Sequence, residues 1–262
     1  GEASAPLLLF RDLCSVAWGA PAEWLQLTGL PASLGLELLE GVVTHQSAAL
    51  TASPSLGDAL RTGLCARLVE GVRSAAAAEG DGGPELRRVY RIAGAVVAHM
   101  GDTLAEEAAE LLALLVLEAG PGRPPTRRLV TLQVLRQLCH DPALLAGLMD
   151  RWALPAVTGG AEAVTAVTGG AGPLGALAKA LTGAVEALVV GGDGSDPETF
   201  EEVEALFSRP PGVASGEPPS EEAQAGALTV ECILGIVVSL ETILDDALGR
   251  GGGEGGGAGA AA

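Results

Sequence analysis

Apolar residues recur at three- and four-residue steps along most of the chain, and Gly or Pro breaks separate the resulting blocks. This spacing places the apolar side chains on one face of an α-helix. No β-strand is predicted, and short helices joined by short breaks favour packing of helix on helix. The pattern therefore predicts an all-α fold, an armadillo-like helical stack (α-solenoid) with flexible Gly/Ala/Pro-rich inserts. The predicted helices cover residues 8–18, 33–50, 55–78, 84–100, 103–119, 126–139, 142–152, 173–190, 195–207 and 220–248.

Low-complexity stretches divide the chain into segments. The word AVTGGA occurs twice, at Ala156–Ala161 and Ala166–Ala171, and two copies are too few for a repeat protein. Gly1 at the start and the Gly-rich end suggest a piece of a longer protein or an incomplete gene model. The predicted segments are a helical domain at 1–152, a low-complexity insert at 153–172, short helices at 173–208, a Pro/Gly linker at 209–219, an amphipathic helix at 220–249 and a Gly/Ala-rich tail at 250–262.

The segment between the first two predicted helices is unusually apolar for a loop. It carries Trp18, Trp24, Leu25, Leu27 and Leu30. Burial of an aromatic side chain removes a large apolar area from water, so a loop of this composition is expected to pack into a groove between helices. Trp18, Trp24 and Leu27 are the predicted structural anchors. Replacement of Trp24 by Ala is then expected to cost a few kcal/mol of stability.

The chain is strongly acidic, with a formal net charge of −18. This charge disfavours nucleic acid and anionic bilayers as partners, because both require clusters of Lys and Arg. The basic residues concentrate in two groups, which either bind an acidic partner protein or pair with Glu106, Glu107 and Glu110 on adjacent helices. The first group is Arg87, Arg88 and Arg91, and the second is Arg127, Arg128 and Arg136.

No catalytic or metal-binding motif emerges from the polar residues. The four cysteines are far apart, without a CxxC pair, which predicts free buried thiols in a reducing compartment and no zinc site. Neighbours on a helix end point in different directions, so Cys139-His140-Asp141 is not predicted to form a triad. No cofactor is expected. The longest apolar runs, 111–117 and 232–239, are too short to span a bilayer.

Three consecutive words near the start carry a family resemblance: LFRDLCS at Leu9–Ser15, EWLQLTGLP at Glu23–Pro31 and SLGLELLE at Ser33–Glu40. They closely resemble the Mon-two (monensin-sensitivity) family, Golgi and endosome trafficking relatives of the large Arf exchange factors. The matching region is the "homology upstream of Sec-seven" (HUS) region, an armadillo-like helical unit. Residues 90–150 agree more loosely, and the segment Leu148–Trp152 keeps only the Asp of the acidic, aromatic signature that closes this region in the exchange factors.

The resemblance implies a non-enzymatic scaffold in endosome-to-Golgi vesicle and protein traffic, acting through protein contacts of its helical surface. The implied partners are Dopey-type proteins, an aminophospholipid flippase and Arf-like GTPases. The implied location is cytoplasmic, peripheral at the trans-Golgi network and endosomes. Two alternatives remain open. One is a regulatory N-terminal fragment of a large Arf guanine-nucleotide exchange factor, which a downstream Sec-seven domain would favour, and the other is an unrelated armadillo-type adaptor.

Overall fold

The computed structural model describes residues 4–77, 83–120, 122–152, 175, 177–183 and 220–251. Within these residues no β-strand occurs, and the prediction of an all-α helical stack is confirmed. The predicted insert 153–172, most of 173–208, the linker 209–219 and most of the tail lie outside the described residues. The helices are α1 (Ala5–Ala17), α2 (Ala32–His45), α3 (Ser47–Ala52), α4 (Pro54–Ala59), the π-helical turn π1 (Leu60–Cys65), α5 (Ala66–Ala77), α6 (Pro84–Met100), α7 (Ala105–Glu118), α8 (Pro125–Cys139), α9 (Pro142–Trp152) and α10 (Glu221–Gly251).

Proline residues set the starts of several helices. Pro6, Pro54, Pro84 and Pro125 each occupy one of the first two positions of α1, α4, α6 and α8. The fixed φ of proline suits the first turn, where a backbone N–H has no partner within the helix. These helix starts are therefore encoded locally in the chain.

Two predicted helices differ from the structure. The predicted helix 33–50 breaks at Gln46 and resumes as the short α3. The predicted helix 55–78 is divided in the structure into α4, the π-helical turn π1 and α5. A π turn inserts an extra residue into the helix. Three- and four-residue spacing continues through such a turn, so the pattern alone does not reveal it.

The helices form a continuous stack around one apolar core. α1 packs on α2, α2 on α6, α6 on α8 and α8 on α10, while α5 and α7 lie against α6. α6 is central, and its Tyr90, Ile92 and Val96 are almost fully buried. α7 is buried over most of its length, including Leu111 and Leu115. The stack therefore extends from the first helix to the last, and the core cluster includes residues from both.

The last helix buries several small side chains and leaves some of its large ones exposed. The predicted apolar face of 220–248 joined Ile233, Ile236, Val237, Leu240, Ile243, Leu244 and Leu248. In the structure α10 contacts α8 and α9, and of the predicted face Ile233 and Ile236 pack against the core, while the side chain of Leu248 lies outside the described ones. The buried residues of α10 include Ala225, Thr229, Cys232, Gly235 and Ser239. A Cβ at Gly235 would lie 2.7 Å from the His140 ring, so any larger residue there would have to displace that ring. Large side chains remain more than half exposed: Leu234, Val237, Val238 and Leu244.

α10 also changes the expectation about bilayer spans. Within Glu221–Asp246 an 18-residue window has a mean hydropathy of 2.0, so by length and composition alone the helix is able to cross a membrane. The shorter apolar runs counted in the sequence missed it, because a span tolerates a few interspersed polar residues. In the structure Ser239 Oγ donates to the backbone oxygen of Cys139 at 2.9 Å. This helix therefore serves here as the cover of α8.

Candidate protein-interaction site

The loop between α1 and α2 is held by hydrogen bonds to a buried aspartate. The backbone N–H groups of Trp24 and Leu25 donate to the Asp12 carboxylate at 3.2 and 2.7 Å. Asp12 is only 4% exposed. Ala22 and Leu27 exchange two backbone hydrogen bonds at 3.0 and 3.1 Å, which closes the loop into a tight turn. Hydrogen bonds to a charged acceptor are among the stronger ones in proteins, so the main chain is the primary tether.

The predicted anchoring of this loop is therefore wrong in two of its three residues. Trp24 and Leu27 are each 46% exposed. Trp18 is half-buried against the core, and its ring centre lies 5.9 Å from Cζ of Arg67. The large apolar groups suggested burial, but the Asp12 carboxylate binds the adjacent backbone N–H groups of Trp24 and Leu25 within the turn, while the Trp24 ring stays 46% exposed. The sequence signal for this contact is Asp12, a carboxylate among the apolar residues of the first helix.

A groove runs beside the exposed Trp24 ring. It has a volume of about 560 Å³ and lies between α1, the loop, π1 and α5. Leu8 and Trp24 contribute apolar surface, and Arg11 and Arg67 contribute guanidinium groups. Gly63 of π1 also lines it, and a Cβ at that position would meet open space. The groove is thus open, mixed in polarity and bordered by a π turn, a feature often found at functional sites.

The first arginine group bridges α6 and α2. Arg88 donates to Glu37 at 3.0 Å and to Glu40 at 3.4 Å, and Arg91 Nε lies 3.0 Å from Glu40. These pairs are partly exposed, with Arg91 at 51% side-chain exposure. Arg87 is exposed, and no carboxylate among the described residues lies within ion-pair distance of it. Binding of a partner at this group stays a prediction.

The second arginine group is largely inside the protein. Arg127 and Arg128 are 2% and 5% exposed. Arg127 Nη1 lies 3.8 Å from Glu118 and donates to the backbone oxygen of Ala75, while Arg128 pairs with Glu222. Buried guanidinium groups are not accessible to a partner. The prediction that Arg127 and Arg128 bind one is therefore wrong, and partner binding at the more exposed Arg136, which pairs with Glu231 at 2.7 Å, stays a prediction.

Arginine residues do pair with glutamates of neighbouring helices, but not with the glutamates expected for the two groups. Glu107 pairs with Arg61 at 3.3 Å. Glu110 pairs with Arg73. Both arginines precede the two groups in the chain. The charge pattern thus indicated the kind of contact, while the identity of the partners depends on the order of helices in the stack.

Glu118 at the end of α7 joins three elements of the stack. It is 1% exposed, accepts a hydrogen bond from the Tyr90 hydroxyl at 3.0 Å and lies 3.3 Å from Arg123 Nε. Burial, and next the charge of Glu118, raise the pKa of Tyr90 well above its usual value. Sequence reasoning missed this network, although a lone Glu in the apolar segment Leu111–Ala119 was a visible signal.

The cysteines and histidines form no reactive arrangement in the described residues. Burial raises the pKa of both Cys14 and Cys65 to about 12, which disfavours the nucleophilic thiolate. The buried Cys139 and the exposed His140 differ in environment, and Asp141 accepts a hydrogen bond from the Leu144 N–H at 3.0 Å. Among the described residues no cluster of His, Cys, Asp or Glu has the geometry of a metal site.

These features define a helical-stack protein whose distinctive surfaces are a groove and exposed apolar side chains. The family described as Mon2/Sec7/BIG1-like, HUS domain, matches residues 4–148, more than half of the 262-residue chain. The chain belongs to this family of HUS-domain proteins, as the resemblance near its start predicted. No curated protein and no solved structure matches it. The family match places the chain in a trafficking family related to Arf exchange factors. The HUS domain is a non-catalytic region of Sec7-like proteins.

Proposed function

We propose that the chain is a non-enzymatic scaffold in endosome-to-Golgi vesicle and protein traffic. The observation that carries this proposal is the match of a non-catalytic HUS domain over residues 4–148. The scaffold acts through protein contacts on the surface of the helical stack. Helical stacks offer extended surfaces of this kind and need no chemistry of their own.

Two exposed regions support a role in protein contacts. The groove beside Trp24 lies at the first helices of the stack. The other is the outer surface of α10, where Val237 and Val238 are 55% and 57% exposed. Contiguous exposed apolar side chains often mark interaction surfaces.

The partners that fit the proposal are those implied by the family resemblance: Dopey-type proteins, an aminophospholipid flippase and Arf-like GTPases. The proposed location is cytoplasmic, peripheral at the trans-Golgi network and endosomes. The net charge of −18 supports membrane association through these proteins, since an acidic surface is repelled by anionic lipid.

A regulatory segment of a large Arf exchange factor is the second candidate. It is supported by the same family, whose description joins Mon2-like with Sec7- and BIG1-like proteins. The two candidates differ in chemistry, because only the second predicts accelerated nucleotide exchange on Arf. A Sec-seven domain in the same gene product would favour it.

A relocation experiment tests the scaffold proposal in cells. The full chain is fused to a mitochondrial outer-membrane anchor, and the positions of a Dopey-type protein and of GTP-bound Arf are imaged. The scaffold proposal predicts that the Dopey-type protein moves to mitochondria without GTP-bound Arf. Failure to move it contradicts the proposal. Accelerated nucleotide exchange on Arf by the whole gene product, measured separately, supports the exchange factor.

Two substitutions in α2 provide matched controls. Gly35 lies against the backbone of Ala17, so Gly35→Leu is expected to separate α1 from α2 and abolish recruitment. A Cβ at Gly41 would meet open space, so Gly41→Leu is expected to retain recruitment. Equal recruitment by both variants would mean that the anchor, and not the folded stack, attracts the partner.

A further inference from the structure

The groove beside Trp24 contains two arginines that the rest of the stack leaves without an ion pair. In the described part of the chain, Arg11, Arg67 and Arg87 have no carboxylate within 4.0 Å, and the first two line the groove. This is unusual in a chain of net charge −18. The remaining arginines with described side chains all pair with acidic residues: Arg61, Arg73, Arg88, Arg91, Arg123, Arg127, Arg128 and Arg136.

The two acidic residues of the groove do not neutralise these arginines. The Asp12 carboxylate accepts the N–H groups of Trp24 and Leu25 and is buried. Glu23 lines the groove but forms no ion pair with Arg11 or Arg67. Both guanidinium groups are exposed, and each retains donors in the planar arrangement that matches a carboxylate. The electrostatic complement to this pair is an acidic group supplied from outside.

The apolar lining adds a second requirement for the ligand. Trp24 is 46% exposed and shares the groove with Leu8. The side of the groove at Gly63 is open, since a Cβ there would meet no atom within 4 Å. A volume of about 560 Å³ accommodates a few side chains. An exposed tryptophan beside an arginine is a common anchor point in protein interfaces.

We propose that this groove binds a segment of a partner protein that carries acidic side chains and a large apolar side chain. The carboxylates pair with Arg11 and Arg67, and the apolar side chain packs on Trp24. Two isolated arginines are too few for nucleic acid or a bilayer surface, which the acidic chain repels. This inference rests on the proposed function, according to which the chain acts through protein contacts. It adds the chemical character of the partner segment at one site.

Selection from short random peptides displayed on phage, with the purified full chain as target, tests this proposal. The enriched peptides are expected to combine Asp or Glu with Trp, Phe or Leu. The most enriched sequence is then synthesised with a fluorescent label, and its affinity is measured by anisotropy. The double variant Arg11→Glu/Arg67→Glu is expected to weaken binding by at least about tenfold, because each carboxylate contact becomes a like-charge contact.

Three further variants separate the groove from general charge and folding effects. Arg87→Glu makes the same charge change at an unpaired arginine outside the groove, and it is expected to leave the affinity unchanged. Glu23→Gln removes a negative charge from the groove, so it is expected to tighten binding. Trp24→Ala is expected to weaken binding, while Trp24→Phe restores part of it. Each variant is compared with the original chain by melting temperature.

The proposal fails on any of three results. These are the absence of enriched peptides, enrichment of peptides without acidic residues, and equal loss of affinity in Arg87→Glu and the double variant. Its failure differs from that of the scaffold proposal. If peptides bind the groove and the mitochondrial relocation fails, the groove stands without the trafficking role. If relocation succeeds and the groove binds no peptide, the partner uses another surface.

Discussion

The two arginine groups look alike in the sequence and differ in the structure. Both contain two adjacent arginines near the start of a helix and a third further along it. The group on α6 remains on the surface, with Arg88 at 26% side-chain exposure, while Arg127 on α8 has 2%. The difference arises because other elements enclose the start of α8: α10 brings Glu222 against Arg128, and α7 ends at Glu118 beside Arg127. A helix pattern indicates which way a side chain points, whereas its depth depends on what packs over it.

Different depths imply different energies for similar ion pairs. Exposed pairs contribute from zero to about 1 kcal/mol, because water and side-chain entropy offset the attraction. A buried charge that loses its partner costs about 3–5 kcal/mol, since no water replaces the lost contact. The comparison between α6 and α8 therefore makes quantitative predictions for variants of the two groups.

Arg127→Ala is expected to have the largest effect of these variants. It removes a buried guanidinium that lies beside Glu118 and donates to the Ala75 backbone oxygen, and it leaves the buried carboxylate with fewer partners. We expect the free energy of unfolding to fall by about 3–5 kcal/mol. Urea unfolding followed by circular dichroism measures the loss. A loss below about 1 kcal/mol would mean that Arg127 behaves like a surface arginine.

Tyr90 reports the environment of the same buried network. It is the single tyrosine of the chain, so ultraviolet absorbance of the phenolate reads this residue alone. Burial and the Glu118 charge raise its pKa, so the folded chain is expected to keep the phenol protonated above pH ~10, where tyrosine in an unfolded chain ionises. Because the folded-state pKa is the higher one, this group's contribution to stability is present below pH ~10 and is lost as pH rises.

Two measurements complete the Tyr90 titration. Circular dichroism at each pH establishes that the chain is still folded, and the urea-unfolded chain gives the reference curve. Glu118→Gln removes a negative charge 3.0 Å from the hydroxyl and is expected to move the titration to lower pH. Coincident curves for folded and unfolded chain would place Tyr90 in water and contradict the buried network.

Patterns among residues close together in the sequence were sufficient to predict the helices and the family. They were insufficient to predict which side chains are buried. The apolar spacing predicted the helices of the first 152 residues, with bounds shifted by a few residues, and it missed the break at Gln46 and the π turn. The words between Leu9 and Glu40 indicated the family. Both depend on residues close together in the chain, because helix periodicity and a short sequence word are each contained within one segment.

The errors concern contacts between residues far apart in the chain. Trp24 was expected inside because it is large, but Asp12 holds the loop by its backbone and leaves the ring at a groove. Arg128 was a candidate for binding a partner protein. Its actual partner, Glu222, is 94 residues away in the chain, so the local charge pattern does not reveal the pair. On α10 the residues buried most completely include the small Ala225 and Cys232, whereas Val237 and Val238 remain exposed. None of these contacts has a signature in local spacing.

Arg88→Ala is expected to have a small effect, and Arg87→Ala the smallest. Arg88 pairs with Glu37 and Glu40 at the edge of water, so its loss should cost at most about 1 kcal/mol, and less at high salt. Arg87 is exposed without an ion pair in the described residues, so Arg87→Ala should be neutral at either salt concentration. Urea unfolding at low and high salt measures both. If Arg88→Ala lowered the free energy of unfolding as much as Arg127→Ala at high salt, burial of the arginine would not explain the difference between the two groups.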